Sequence, residues 1–452
     1  MATRRDFMKS LASAAAVAGV AGAPQFSFAQ DGSGRTKTFI KVFQRGGADG
    51  LHLFPLYNDP AYEAYRQDLW IRPPDGSMDG DRALSLGSAA AADRQSTGIR
   101  GMNPNLAALQ DIWDSGNMML APSTSFEGSG RSHFDNQRWI GTGARNNVID
   151  GYMNRFMKEV PRAQQHPLRG LVAGKTSIST EIRGEIKVPA IVQSGAYDIS
   201  NRDLDNFDCG DGCDDFRMTS IMEEIASHDV DLSAAEGNIK DNQLVLLESI
   251  QDVAAAADAY SMDPNAPAYS NSSLGRGLKL CAQLVKHDLP LEMAAIDWNI
   301  GWDTHRDQID IENTVNPFTD PNKRYNARMA EGARDLKMFW DDLGPELRGD
   351  VVVLVGSEFG RTKKQNGSVG TDHGIGGAWF AFGGPTRQVV ADDVATIDDS
   401  AFTENYLPRI TSYRDIIGEI MVRHMLMDPG LVSTVFPGHS FDDLGLFTRS
   451  MA

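Results

Sequence analysis

Cysteine is scarce in this chain, with three in 452 residues. That excludes a cysteine-ligated iron–sulfur cluster, and neither a haem-attachment motif nor a dinucleotide glycine fingerprint is present. Basic residues are also in deficit, 43 against 61 acidic ones, for a net charge of −18. A duplex nucleic-acid binder carries a basic face, and an anionic membrane surface wants one too, so both partners are disfavoured. No run after residue 30 is long and apolar enough to span a bilayer, which takes about 20 residues. Internal repeats, coiled-coil heptads and low-complexity tracts are absent. What remains is 41% apolar, 23% charged and 8% aromatic. This is the composition of a globular chain long enough for one large domain or two to three ordinary ones. The acidic balance does not exclude an anionic substrate, because a site that holds metal ions is locally cationic.

The first residues read as an export label. Thr-Arg-Arg-Asp-Phe-Met-Lys at 3–9 precedes a short alanine-rich apolar run, Leu11 to Ala23, and then Ser27-Phe28-Ala29. Charged region, apolar region and small-x-small cleavage site stand in the order of a twin-arginine signal over residues 1–29. The expected mature protein spans 30–452 and is periplasmic or secreted, with the twin-arginine machinery as a partner and no transmembrane segment. Cys209 and Cys213 flank a Gly-Asp-Gly turn in an acidic loop, and in an oxidising compartment a local disulfide is expected there. Cys281 falls in an amphipathic helical pattern and is expected to be a buried thiol.

Along the mature chain, strand-like and helix-like segments alternate. Thr38–Gln44 (TFIKVFQ), Asn117–Ser123, Leu291–Trp298 and Ala378–Gly383 read as strands. Val351–Gly356 (VVVLVG) is nearly all apolar, as a strand buried on both faces of a parallel sheet should be. Helical patterns cover Pro104–Ser115, Tyr325–Leu343 and Ile410–Met427. Alternation of this kind predicts an α/β fold, a mostly parallel sheet with helices on both faces. Gly-, Ser-, Asp- and Pro-rich stretches within about 73–100 and 196–274 are expected to be loop insertions.

Chemistry-bearing residues recur just beyond the strands. In open α/β sheets, ligands bind at the carboxyl ends of the strands. The first strand delivers Asp49, and the second leads into Ser129-Gly-Arg-Ser-His-Phe-Asp135. The third delivers Asp303 and His305, Val351–Gly356 delivers Ser357-Glu358-Phe359-Gly360-Arg361, and the loop beyond carries Gly370-Thr-Asp-His-Gly374. Carboxylates mixed with neutral imidazoles are the ligand set of zinc, manganese and related divalent ions.

Five segments carry a family resemblance: Arg45-Gly-Gly-Ala-Asp-Gly50, Ser132-His-Phe-Asp135, Gly301-Trp-Asp-Thr-His305, Ser357-Glu-Phe-Gly-Arg361 and Gly370-Thr-Asp-His-Gly374. In this order they resemble domain-of-unknown-function family 1501, twin-arginine-exported proteins placed within the alkaline phosphatase and sulfatase superfamily. The resemblance implies a three-layer αβα sandwich, alkaline-phosphatase-like, and a metal-dependent hydrolase of phosphate or sulfate esters. Asp49, Asp303, His305, Glu358, Asp372 and His373 would then be the metal ligands, for one or two ions of zinc, manganese or calcium. Ser132 or His133 stands at or beside the nucleophile position, and Arg131 or Arg361 would fork onto the anion. Phe359 stands where the superfamily has a metal-binding histidine. The alternative is a non-catalytic exported protein that keeps the fold and binds a glycan or serves an assembly system.

Overall fold

The computed structural model describes residues 35–75, 80–87, 100–145, 148–162, 166–194, 249–262, 267–313, 317–391 and 394–448. The expected leader over 1–29 and the Cys209–Cys213 loop lie outside them.

The strands expected from apolar, β-branched runs form, and their pairing makes one large sheet. In chain order they are β1 (Thr38–Gln44), β2 (Met118–Ser125), β3 (Gly170–Ala173), β4 (Ala190–Ile191), β5 (Met293–Asp297), β6 (Val351–Ser357), β7 (Gly377–Gly383), β8 (Val389–Val390) and β9 (Thr411–Ser412). The spatial order is β8-β2-β7-β6-β1-β5-β3-β4, with β9 also paired to β2. Every pairing is parallel except the two made by β7, which runs against β2 and β6. β6 and β1 are central, and every residue of both is buried. β3, β4, β8 and β9 were not anticipated, because two to four residues are too few for a period to stand out, and β9 lies within the expected helix over Ile410–Met427.

Alternate residues of each strand feed two cores, one per face. Ile40, Val42, Val353, Val355, Ala294 and Ile296 join one cluster; Phe39, Phe43, Val352, Leu354, Met293 and Ala295 join the other. The helices that cover these faces are α1 (Gly50–Leu53), α2 (His133–Thr142), α3 (Tyr152–Glu159), α4 (Ser273–Lys286), α5 (Arg324–Leu347) and α6 (Tyr413–Arg423). α4 and α5 cover the first face through Leu278, Cys281, Met329, Leu336 and Phe339. Cys281 is a buried free thiol, as expected. α2, α3 and α6 cover the second through Ile140, Phe156, Ile416 and Ile420. The result is a mixed α/β structure in three layers around a mostly parallel sheet. α5 is interrupted at Gly344, which adopts φ 65° ahead of Pro345. Residues 249–259, inside an expected insertion, are helical. Among the described residues, no helix is long and apolar enough to cross a membrane.

One charge sits inside the second core. Lys41 on β1 is 1% exposed. Its Nζ donates to the carbonyls of Val42 (2.9 Å) and Gly356 (3.1 Å) and lies 4.2 Å from the centre of the Trp379 ring. Burial pushes its ammonium down to about 7, against the pull of Glu181 and Asp297. In the unfolded chain the group titrates near 10.4. Between these values the unfolded chain holds a proton that the folded chain has released, so this lysine makes stability rise with pH. The expected outcome is that chemical denaturation from pH 7 to 10 shows this rise and that Lys41→Met flattens it.

Candidate metal centre

The loops that leave the carboxyl ends of β1, β2, β5 and β6 meet on one side of the sheet. His133 is the first residue of α2, after the loop that follows β2, and Ser132 caps the helix. Asp303 and His305 follow β5. Arg361 and His373 face each other across an isolated antiparallel bridge beyond β6. The loop that bears His373 is laced to the one that bears His305, because the Thr371 amide donates to the Thr304 carbonyl at 2.9 Å. Gly370 permits this approach; a Cβ there would lie 2.4 Å from the His305 carbonyl carbon.

Three imidazoles and one carboxylate converge at this point. His373 Nε2 lies 3.1 Å from His133 Nε2, 3.0 Å from His305 Nε2 and 3.0 Å from Asp303 Oδ1. Asp303 Oδ1 is also 3.0 Å from His305 Nε2 and 3.5 Å from His133 Nε2. The outer nitrogen of each ring faces an acceptor. His133 Nδ1 meets Glu358 Oε1 at 2.7 Å, His305 Nδ1 meets Asp372 Oδ1 at 2.9 Å, and His373 Nδ1 meets the Arg131 carbonyl at 2.8 Å. These acceptors assign the proton of each neutral ring to Nδ1, so each Nε2 presents a lone pair inward. Three lone pairs and a carboxylate oxygen thus crowd together with no hydrogen between them. Such a set is mutually repulsive unless a cation stands among its members.

Its dimensions suit a small divalent ion. Ligands at about 2.0–2.1 Å around a tetrahedral ion are roughly 3.3–3.4 Å apart, near the 3.0–3.5 Å that separates His373 Nε2 and Asp303 Oδ1 from each other and from the other two rings. Imidazole nitrogen is a ligand of zinc and its transition-metal neighbours, whereas calcium takes oxygen. Among the described residues, the donor atoms of His133, Asp303 and His373 all lie within 4.8 Å of one another, and His305 meets Asp303 and His373 from the outer side.

The surroundings prepare this centre. Arg361 is buried and donates to Asp303 Oδ1 at 2.5 Å, to the carbonyls of Gly46 and Gly47 at 2.6 Å, and to those of Thr371 and Trp302 at 3.1 Å. Burial opposes the charge of Asp303, but the hydrogen bond and charge of Arg361 outweigh it and hold the carboxyl at about 2. The hydrogen bond that His133 donates to Glu358 raises the pKa of His133. Glu358 in turn stays ionised despite burial, because His133, Gln137 and Ser357 donate to it. The His305 hydrogen bond lowers Asp372. Phe359, fully buried, forms an apolar wall, its ring centre 4.7 Å from that of His133 and 4.9 Å from that of His373. Gly47, at φ 68°, makes room for it; a Cβ there would fall 2.3 Å from the Phe359 ring.

Of the expected site residues, Asp303, His305 and His373 come together, and His133 joins them with its Nε2 turned toward His373 and Asp303. The others depart from expectation. Asp49 is 1% exposed, and its carboxylate is taken by Arg66 (2.7 and 3.0 Å) and Gln308 (2.9 Å). Glu358 and Asp372 grip the outer nitrogens of the histidines instead of facing inward. Arg361, with its donors spent on four carbonyls and Asp303, has no free fork for an anion. Ser132 is exposed, and its hydroxyl accepts from the Asp135 amide at 3.4 Å, a helix cap. Sequence reading overlooked Gln137, which stands at i+4 from His133 on α2 and therefore shares its face; that spacing was a usable signal. Nothing in the sequence pairs Arg66 with Asp49.

Comparison with curated proteins finds no match. A solved structure of a magnesium-bound mutant of TAB5 alkaline phosphatase aligns with 78% of this chain and 92% of that one, at 12% identity and a TM-score of 0.27. A likeness that slight carries no argument. The family model described as "Protein of unknown function (DUF1501)" matches residues 131–391. That span is more than half of the chain and includes His133, Asp303, His305 and His373, and the chain belongs to the DUF1501 family.

Proposed function

We propose that this chain is an exported, single-ion metalloenzyme that hydrolyses phosphate or sulfate esters. The observation that carries the reading is the meeting of three Nε2 lone pairs with Asp303 Oδ1. His133, His305, His373 and Asp303 would hold the ion, and the imidazole-rich set favours zinc, manganese or iron over calcium. When bound, a divalent ion supplies Lewis acidity toward an ester oxygen and acidifies water. The residues around it do the rest. Arg361 keeps Asp303 ionised and in place. Glu358, Asp372 and the Arg131 carbonyl fix the tautomers and aim the rings. Phe359 keeps water from the inner side. The Arg131 guanidinium is exposed above the Tyr406 ring, 5.9 Å from its centre. It stands at the site's rim beside the N-terminus of α2, where an anionic ester is favoured.

The second reading is a non-catalytic exported protein that retains one structural ion and binds a glycan or serves an assembly system. It is favoured by the absence, among the described residues, of a serine, threonine or cysteine side chain bonded to the cluster. Hydrolysis in this site would therefore use water as the nucleophile.

Elemental analysis of the purified protein is expected to find about one equivalent of a first-row divalent metal, lost in His373→Ala. A folded protein that neither contains nor takes up metal would overturn the proposal. Asp372→Ala is expected to weaken the metal about 10- to 100-fold in a chelator competition without lowering the melting temperature, since it removes only the support of His305. Ser132→Ala is expected to cost about 1 kcal/mol of stability as a lost cap, while metal-dependent hydrolysis of 4-nitrophenyl phosphate or sulfate persists. Loss of hydrolysis in that variant would return Ser132 to the nucleophile's role. A metal-loaded protein inactive toward a broad ester panel would favour the structural-ion reading.

A further inference from the structure

A second cluster of charge lies beyond the opposite end of α2, where no ligand of the metal centre reaches. A pocket of about 430 Å³ opens there, lined among others by Phe126, Gly128, Arg145, Arg414 and Gly438. That volume falls within the roughly 300–1,000 Å³ of small-molecule sites. Its two cations are Arg145 and Arg414, and each guanidinium is laid on an aromatic ring. Arg414 stands 4.7 Å from the centre of Phe126, and Arg145 stands 4.6 Å from that of Trp139. The rings themselves are neighbours, with centres 6.1 Å apart. Stacking of this kind restrains a guanidinium before any partner arrives.

Three further observations separate this pocket from a chance pair of surface arginines. Arg414 lies in the first turn of α6, its side chain is 5% exposed, and its Nε is buried without a hydrogen-bond partner. Its sole ion pair, 3.2 Å to Glu127, is with a side chain that is 66% exposed; an exposed carboxylate is a weak and displaceable partner. Finally, Gly128 adopts φ 68°, and a Cβ there would lie 2.4 Å from Arg145 Nη1. The loop is thus left bare where the guanidinium passes. Two like charges are held by stacking in one concavity whose one carboxylate among the described lining residues, that of Glu127, is exposed.

We infer that this pocket is a binding site for a tetrahedral oxyanion, phosphate or sulfate, either free or as the head group of a small ester. Planar guanidinium forks match the oxygens of such an anion in pairs. The wall formed by Phe126 and Gly128 continues through Arg131, whose carbonyl holds His373, to His133. The site stands independently of the metal centre and does not rest on the hydrolase reading.

The test is isothermal titration of the full-length protein with inorganic phosphate at low ionic strength. Saturable one-to-one binding is expected, weakened about tenfold or more by Arg145→Ala, an exposed position whose loss spares the fold. Glu127→Gln, which removes the competing carboxylate, is expected to tighten it. The component of binding that Arg145→Ala weakens is expected to persist in His133→Ala, which separates this pocket from phosphate captured at the metal centre. Titration with glycerol 1-phosphate distinguishes the sources: tighter binding than phosphate assigns the pocket to small phosphoesters, and equal binding assigns it to the free anion. Absence of saturable phosphate binding, or binding that falls in His133→Ala but not in Arg145→Ala, would overturn the assignment.

Discussion

The centre depends on one buried guanidinium. Arg361 binds the turn after β1 through Gly46 and Gly47, the loop after β5 through Trp302 and Asp303, and its own hairpin through Thr371. Each contact is a hydrogen bond from a charged donor, the kind worth most in a poorly solvated site. No helix or strand fixes these loops relative to one another at that depth. Without the arginine, four carbonyls that now face a charge would be left in a dry interior. The carboxylate at the middle of the donor cluster would also lose the partner that keeps it ionised.

Around that knot the centre is arranged in tiers. The imidazoles face inward, and a set of acceptors stands behind them: a buried glutamate, an exposed aspartate and a backbone carbonyl. These acceptors differ in charge and exposure. His133, backed by buried Glu358, is the ring whose inward nitrogen is made the most electron-rich by its support. Phe359 closes the side where a further histidine would have extended the cluster toward a second ion. Asp49, at the start of the same edge, is neutralised by Arg66. On the proposed reading, those two side chains limit the site to one ion as much as the four donors do.

Much of the fold was legible because its strands are dense in apolar, β-branched residues. TFIKVFQ and VVVLVG stand out as buried strands whatever surrounds them, and the loops after them had to share an edge. The sequence therefore placed the right loops side by side. It could not say which atom of which residue faces inward, because that is decided by partners far along the chain. Asp49 and Glu358 look like ligands until Arg66, 17 residues away, and His133, 225 residues away, are seen to occupy them. Arg361 looks like an anion receptor until its donors are counted against the carbonyls around it. His133 and Ser132 are adjacent, and only the cap at the start of α2 separates donor from bystander.

The donors are also far apart in the chain: His133 and His373 are separated by 240 positions, and Asp303 and His373 by 70. No short segment holds even three of them, so the cluster exists only once the sheet has closed and its loops are tied. On the proposed reading, an ion would therefore be captured after the fold has closed. A preformed nest of imidazoles discriminates poorly among first-row metals, whose affinities follow their own intrinsic order. The occupant is then decided by which ions are free in the compartment where the chain completes its fold.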